Sequence, residues 1–227
     1  VQLPELIRGR FLRRDNRFRA TVTVAGGEAW AHLPNSGRLA DLLTPNRPVW
    51  LAPAATPGRK TAYDLKLVEF NSVLASVDAR LPNPLFAEAV QAGQLAGFHF
   101  SRVEQEISYG DSRLDFRLSG PAGVCWVETK SVTLVEAGVA LFPDVPTRRG
   151  HKHLRTLMDL RQAGDRAAVV FIIQRPDARC LAPHHQADLT FAATLREAVT
   201  AGVEARAFTC RVSLSEIAIT EEVPVVI

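Results

Sequence analysis

Ser112-Arg113-Leu114-Asp115-Phe116-Arg117-Leu118, the turn Ser119-Gly120-Pro121-Ala122-Gly123 and Val124-Cys125-Trp126-Val127-Glu128-Thr129-Lys130 read together as a β-hairpin. The first arm alternates polar and apolar residues, so Leu114, Phe116 and Leu118 are expected on one face and Asp115 on the other. In the second arm a period of two puts Glu128 and Lys130 on the same face. Pairing the arms brings both near Asp115. Two close carboxylates repel unless a cation lies between them, and a hard divalent ion takes few carboxylates plus water and phosphate oxygens. The expected chemistry is hydrolysis of a phosphodiester. Asp115 and Glu128 would hold Mg²⁺ or Mn²⁺, the Thr129 backbone carbonyl would add a ligand, and Lys130 would steady the attacking hydroxide or the developing charge. Without the cation, loss of one repelling carboxylate is expected to leave the fold as stable as before or slightly more so.

The acidic-x-Lys tripeptide is not specific by itself. Composition alone gives about 0.4 chance matches in a chain of this kind, and a second occurs at Asp64-Leu65-Lys66 without a partner hairpin. The alternative is a surface strand with an ordinary Glu/Lys pair. Arginine outnumbers lysine 23 to 4, so a retained lysine suggests a position that needs a compact ammonium rather than a planar fork.

Charge is unevenly distributed. Residues 1–60 hold 10 Lys/Arg against 4 Asp/Glu, while the whole chain has a net charge of only +3. Arg8, Arg10, Arg13, Arg14, Arg17 and Arg19 fall within the first nineteen residues, opposed only by Glu5 and Asp15. Such a cluster favours a polyanion, with nucleic acid the commonest candidate; a solvated strand face is the alternative. A hydrophobic content of 47% is ample for a packed core. No apolar run is long enough to span a bilayer, and no basic-then-apolar leader opens the sequence, so a cytoplasmic location is expected, with nucleoid association open, and a membrane partner is not. Cys125, Cys180 and Cys210 read as buried thiols. Nothing in the pattern decides the oligomeric state, and a homo-oligomer stays open.

The first eighty residues read as strands near 6–13, 17–24, 28–33, 47–52, 61–70 and 73–78, separated by turn residues. A small five-stranded OB-like barrel closes such strands without exposed edges. Arg8 with Arg10, and Arg17 with Arg19, would line a groove on it. Arg38, in the loop after His32, would reach a phosphate or simply sit in a well-formed turn. Leu81-Pro82-Asn83-Pro84 marks the boundary between domains 1–80 and 81–227, with Asn83-Pro84 as cap and first turn of a helix from Leu85 to about Gln91. Glu88 on that helix is a further candidate metal ligand. Strands near 101–109, 112–118, 124–131 and 133–141, a helix near 149–163, a buried strand at 167–174, a helix at 189–201 and a last strand at 203–212 make a mixed-sheet α/β domain. Arg148, Arg149 and Lys152 stand at a helix start where positive charge opposes the dipole, which points to phosphate. His151 and His153 lie about 200° apart around the helix and do not share a metal. Asp144, His153 and Gln174 are placed at the edge of the site.

Pro34-Asn35-Ser36-Gly37-Arg38, Arg113-Leu114-Asp115-Phe116, Val127 to Leu134, Phe142-Pro143-Asp144 and Thr147 to Leu154 together resemble the sugar fermentation stimulation protein A family over nearly the whole chain. The resemblance implies an N-terminal OB-like domain, a C-terminal domain like the PD-(D/E)XK nucleases, non-specific DNA binding and a regulatory role at sugar (maltose) utilisation genes. Asp115, Glu128 and Lys130 match the nuclease-like signature. Leu33 and the extra proline at Pro146 depart from the pattern without touching those residues. Two functions follow as expectations: a metal-dependent nuclease, or a DNA-binding regulator that does not cleave.

Overall fold

The computed structural model describes residues 1–56, 58–121 and 123–227. Pro57 and Ala122, which fall in the turns expected at 56–58 and 119–123, lie outside the described residues.

Six strands form the first unit: β1 (Ile7–Asn16), β2 (Arg19–Val24), β3 (Gly27–His32), β4 (Pro48–Pro53), β5 (Tyr63–Phe70) and β6 (Val73–Ser76). Their order is β3-β2-β1-β4-β5-β6, and a parallel β3–β5 pairing at Ala31↔Tyr63 and His32↔Asp64 closes five of them into an OB-like barrel. Closure leaves no barrel edge free, while Phe11, Val22, Leu33, Leu51 and Leu65 fill the interior. The β2–β3 loop is Ala25-Gly26, both at positive φ, as a two-residue hairpin turn requires. The β1–β2 turn falls at Arg17-Phe18 rather than Asp15-Asn16, because the Asn16 side chain accepts from the Phe18 N–H and builds the turn one step later. Arg17 is therefore a turn residue and does not share a strand with Arg19.

The second unit is a mixed sheet flanked by helices. Helix α1 (Pro82–Gln91) is followed by β7 (Arg102–Tyr109), β8 (Ser112–Gly120), β9 (Gly123–Val132), β10 (Val135–Glu136) and β11 (Val139–Phe142). Then come α2 (Arg148–Gln162), β12 (Arg166–Ile173), β13 (Cys180–Pro183), α3 (Leu189–Thr200), β14 (Glu204–Val212) and β15 (Ile217–Val223). The main sheet runs β15-β14-β12-β9-β8-β7, with β9, β12 and β14 parallel at its centre. The continuous apolar run of β12 suits that central place, since both its faces are covered. Val169, Phe171 and Ile173 pack with Leu154, Leu157 and Leu195 of α2 and α3; Ala168, Val170 and Ile172 pack with Leu85 and Phe86 of α1.

Three expectations are corrected here. The strand expected at 133–141 is the hairpin β10–β11, because Ala137 and Gly138 both take positive φ and reverse the chain. Leu114 packs beneath α2 and α3, whereas Phe116 and Leu118 pack beneath α1, so the strict alternation of β8 breaks at Asp115. Helix α1 begins at Pro82, with no side-chain cap, and Asn83 is inside its first turn. The short β13 and the charged edge strand β15 complete the second unit. No helix among the described residues is long and apolar enough to cross a membrane. Burial pushes the Cys125 and Cys210 thiols up to about 12, so both are inert core residues, while Cys180 is half-buried.

Candidate functional site

Strands β8 and β9 pair from Gly120↔Gly123 up to Phe116↔Val127. Next along the β9 edge, Thr129 receives a side chain in place of a strand. Its N–H donates to Asp115 Oδ2 at 2.8 Å, and its hydroxyl lies 3.0 Å from the same oxygen and 2.5 Å from Asn83 Oδ1. Asn83 Nδ2 donates to Asp115 Oδ1 at 3.0 Å, so Asn83 links the start of α1 to the hairpin instead of capping its helix. In an extended strand the N–H and C=O of one residue point to the same edge, so the Thr129 carbonyl also faces the opening left by β8.

Glu128 is 3% exposed and has one oxygen crowded and one free. Lys130 Nζ donates to its Oε1 at 2.6 Å, and His153 Nδ1 faces the same oxygen. An arginine Nε–H can only donate, so its 3.3 Å contact with His153 Nε2 makes that nitrogen the acceptor and puts the imidazole proton on Nδ1, toward Glu128. Glu128 Oε2 is buried and has no hydrogen-bond partner among the described residues. Burial alone would raise the Glu128 pKa, but Lys130 first and then His153 outweigh it and hold the carboxyl below its ordinary value.

Asp115, Glu128, Thr129 and Lys130 open on one cleft of about 380 Å³, whose walls include Arg80, Asn83, Arg149 and, from the barrel, Ser36. The expected pair of carboxylates and the lysine therefore meet. Asp115 is held by Asn83 and Thr129, and Lys130 offsets the charge on one oxygen of Glu128 while Oε2 stays without a donor among the described residues. Glu88 does not join: its carboxylate is 61% exposed and it is not on the walls of the cleft. Among the described residues no three His, Cys, Asp or Glu side chains converge. A cation here would rest on Asp115, Glu128 and the Thr129 carbonyl, completed by water or phosphate, as suits Mg²⁺.

The basic residues divide sharply. Arg8 and Arg10 are exposed and flank a surface cleft of about 350 Å³ with Thr23 and Pro48; Arg8 pairs with Glu69, and Arg10 Nη1 donates to the Asn46 carbonyl. Arg13 pairs with Asp15 and Glu28, Arg19 pairs with Asp15 and stacks 4.4 Å from the Trp30 ring centre, and Arg17 stacks on Phe18. Arg14 turns inward, donating to the carbonyls of Asn35 (2.8 Å), Gly37 (2.5 Å), Arg38 (3.0 Å) and Arg17 (2.7 Å). It is a strut for the 34–38 loop, which removes it from the phosphate-facing set. The Arg38 side chain is exposed, while its N–H donates to Asp144 Oδ2 at 2.8 Å, so Asp144 serves as a bridge between the two units. Arg148 and Lys152 line a separate cleft with Tyr109 and Arg155; of the three, Arg149 lines the cleft that holds the carboxylates. His151 pairs with Asp188, away from His153. Gln174 is fully buried and donates to the Asp78 carbonyl at 3.0 Å and to Ser131 Oγ at 2.8 Å, a core amide behind the site.

The comparisons with known proteins agree over nearly the whole chain. The SfsA N-terminal OB domain matches residues 12–77, and the sugar fermentation stimulation protein RE domain matches residues 80–216. The chain belongs to the sugar fermentation stimulation protein family. A sugar fermentation stimulation protein homolog from Moorella thermoacetica is 51% identical over 216 residues, covering 93% of each chain. Another, from Desulforamulus reducens, is 45% identical over 226 residues, covering 99% of this chain and 94% of the relative. Among solved structures, Pyrococcus furiosus SfsA in complex with Ca²⁺ superposes with a TM-score of 0.92 at 35% identity, covering 100% of this chain and 98% of that one.

Asn83 and Arg80 were not visible as site residues in the sequence. Asn83 carried the signature of a helix cap, and Arg80 precedes the apparent domain break; neither pattern says that both face a hairpin some thirty to fifty residues away.

Proposed function

We propose that this protein binds DNA and hydrolyses its phosphodiesters with a divalent cation held by Asp115, Glu128 and the Thr129 carbonyl. The observation that carries the reading is the buried, unpartnered Glu128 Oε2, in a cleft shared with Asp115, where β9 has lost its neighbouring strand. A buried carboxylate oxygen without a donor is costly, and a cation removes that cost. The Ca²⁺ complex of the Pyrococcus furiosus relative supports a divalent ion in this family.

When bound, Mg²⁺ or Mn²⁺ supplies Lewis acidity and an acidified water. The chain's own groups do the rest. Asn83 and the Thr129 N–H hold the Asp115 carboxylate in place, and His153, oriented by Arg149, holds Glu128 from behind. Lys130 brings an ammonium to the same opening, where it favours hydroxide and the charge that builds on phosphate. Hydrolysis adds water across one P–O bond: oxygen joins phosphorus, its proton leaves to solvent, and the ester oxygen departs as an alcohol after gaining a proton. The exposed Arg8 and Arg10 and the Arg148–Lys152 face provide cationic surface for the flanking backbone.

The second reading is a DNA-binding regulator without hydrolysis, favoured by the absence of a third acidic or imidazole ligand among the described residues. Incubation of plasmid and single-stranded DNA with Mn²⁺, comparing wild type with Lys130→Ala purified identically, separates the two. Cleavage lost in Lys130→Ala supports the nuclease. DNA binding with no Lys130-dependent cleavage leaves the regulator.

A further inference from the structure

We infer that Arg80 is a phosphate-binding residue of the carboxylate cleft, set in place by Asp78 and by the barrel. This deepens the function proposed above and rests on it. Arg80 lies in the connector between β6 and α1 and lines the same cleft as Asp115, Glu128 and Lys130. Its guanidinium grips Asp78 with two donors, Nε to Oδ1 at 2.8 Å and Nη2 to Oδ2 at 2.6 Å. Asp78 is 1% exposed and also accepts from Lys66 of β5 at 2.9 Å, while Gln174, behind the site, holds its backbone carbonyl.

Two cations on one carboxylate leave a formal charge of +1, and Arg80 is the member of the trio that is more than half exposed. A bidentate pair fixes the plane of the guanidinium, and among the described residues Nη1 has no hydrogen-bond acceptor, so the donor is already oriented before a ligand arrives. The Asp78 hydrogen bonds raise the Arg80 pKa above its ordinary value and outweigh the opposing effect of burial. Preorganised charge of this kind at the mouth of a cation site fits a non-bridging phosphate oxygen. Lys66, in the tripeptide Asp64-Leu65-Lys66, thereby acquires a role: it helps balance the buried Asp78 that aims Arg80.

A fluorescent twelve-nucleotide DNA, titrated in Ca²⁺ and in EDTA, tests this without needing turnover. Arg80→Ala is expected to weaken Ca²⁺-dependent binding about tenfold, the size of one charge-assisted contact. In an Asp115→Asn background the same change should have little effect, because the phosphate is no longer drawn into the cleft. Arg80→Lys should recover only a small part, since an ammonium does not reproduce the fork on Asp78. Thermal melts confirm that each variant is folded. Equal affinity of Arg80→Ala and wild type in Ca²⁺, or an equal loss with and without Asp115, overturns the role of Arg80 alone. No Ca²⁺-dependent binding by wild type overturns the proposed function, and the role of Arg80 falls with it.

Discussion

Replacing Arg14 with Ala separates a structural arginine from a DNA-binding one. The Arg14 guanidinium supports four backbone carbonyls of the 17–38 region, of which those of Asn35 and Gly37 belong to buried residues. The exposed carbonyls of Arg17 and Arg38 turn to water at little cost. The two buried ones lose their donor at about 1–3 kcal/mol each, so the expected loss is about 2–6 kcal/mol, centred near 4. For a chain of this length that is about 10 °C in melting temperature. The loss is measured by urea and thermal denaturation, and DNA affinity is measured by anisotropy across a salt series in the folded range. A phosphate contact contributes about 0.9 to the slope of log K against log salt. The expected result is a lower melting temperature and an unchanged slope. An unmoved melting temperature with a slope smaller by about 0.9 would refute the strut.

Other outcomes follow from the same geometry. Arg8→Glu with Arg10→Glu should weaken DNA binding across sequences and flatten its salt dependence, because both side chains are exposed at one surface cleft; unchanged titrations would move the binding surface elsewhere. Mn²⁺ should raise the melting temperature of wild type and not of Asp115→Asn, by preferential binding to the folded state. Contrary to the expectation from charge repulsion alone, Asp115→Asn should cost the metal-free protein about 1–3 kcal/mol, since Asp115 accepts from the Thr129 N–H and from Asn83; a metal-free variant as stable as wild type would contradict that bonding. Glu128 has a folded pKa below its unfolded one, so its contribution is present above the unfolded value, about 4.3, and fades as pH falls through the lower folded value. Lys130→Met removes the largest influence holding the carboxyl down and so raises its folded pKa, and the stability difference from wild type should widen from pH 3 to pH 7; a difference independent of pH would count against the pairing.

The hairpin at the centre of the site was legible because strand alternation and a Gly/Pro turn are local, and they place Asp115, Glu128 and Lys130 together with few assumptions. The barrel was legible for the same reason: many short strands with clear turns have few ways to close. Less legible was the fate of each arginine. Six guanidinium groups in nineteen residues announce a basic surface, but which one finds buried carbonyls depends on where the 34–38 loop passes, a long-range matter that made Arg14 look like its neighbours. Glu88 failed for a similar reason, since helix periodicity does not say which turn of α1 meets the hairpin; Asn83, at the first turn, does. His153 was seen only as an edge residue, because its pairing with Glu128 needs α2 docked against β9. The β10–β11 reversal was hidden by a run of small and branched residues that reads as one strand until Ala137 and Gly138 take positive φ.

The barrel and the sheet do not end where the connector begins. Leu67, Trp50 and Leu74 of the barrel pack into the cluster built on Phe86, Phe116 and Phe208. The Ser76 N–H donates to the Gln174 carbonyl, and Arg175, 1% exposed, donates to Asp41 across the seam. An excised barrel of residues 1–80 would thus expose an oily flank and strand Asp41 without its buried cation, and the remaining half would keep Arg175 on Asp177 and the Thr133 carbonyl but lose its contact with Asp41. Dissection into halves is therefore the wrong way to test the proposed DNA binding: a silent fragment would report lost folding rather than lost recognition. Point changes in the intact chain keep that question answerable, and heating should melt both halves in one transition.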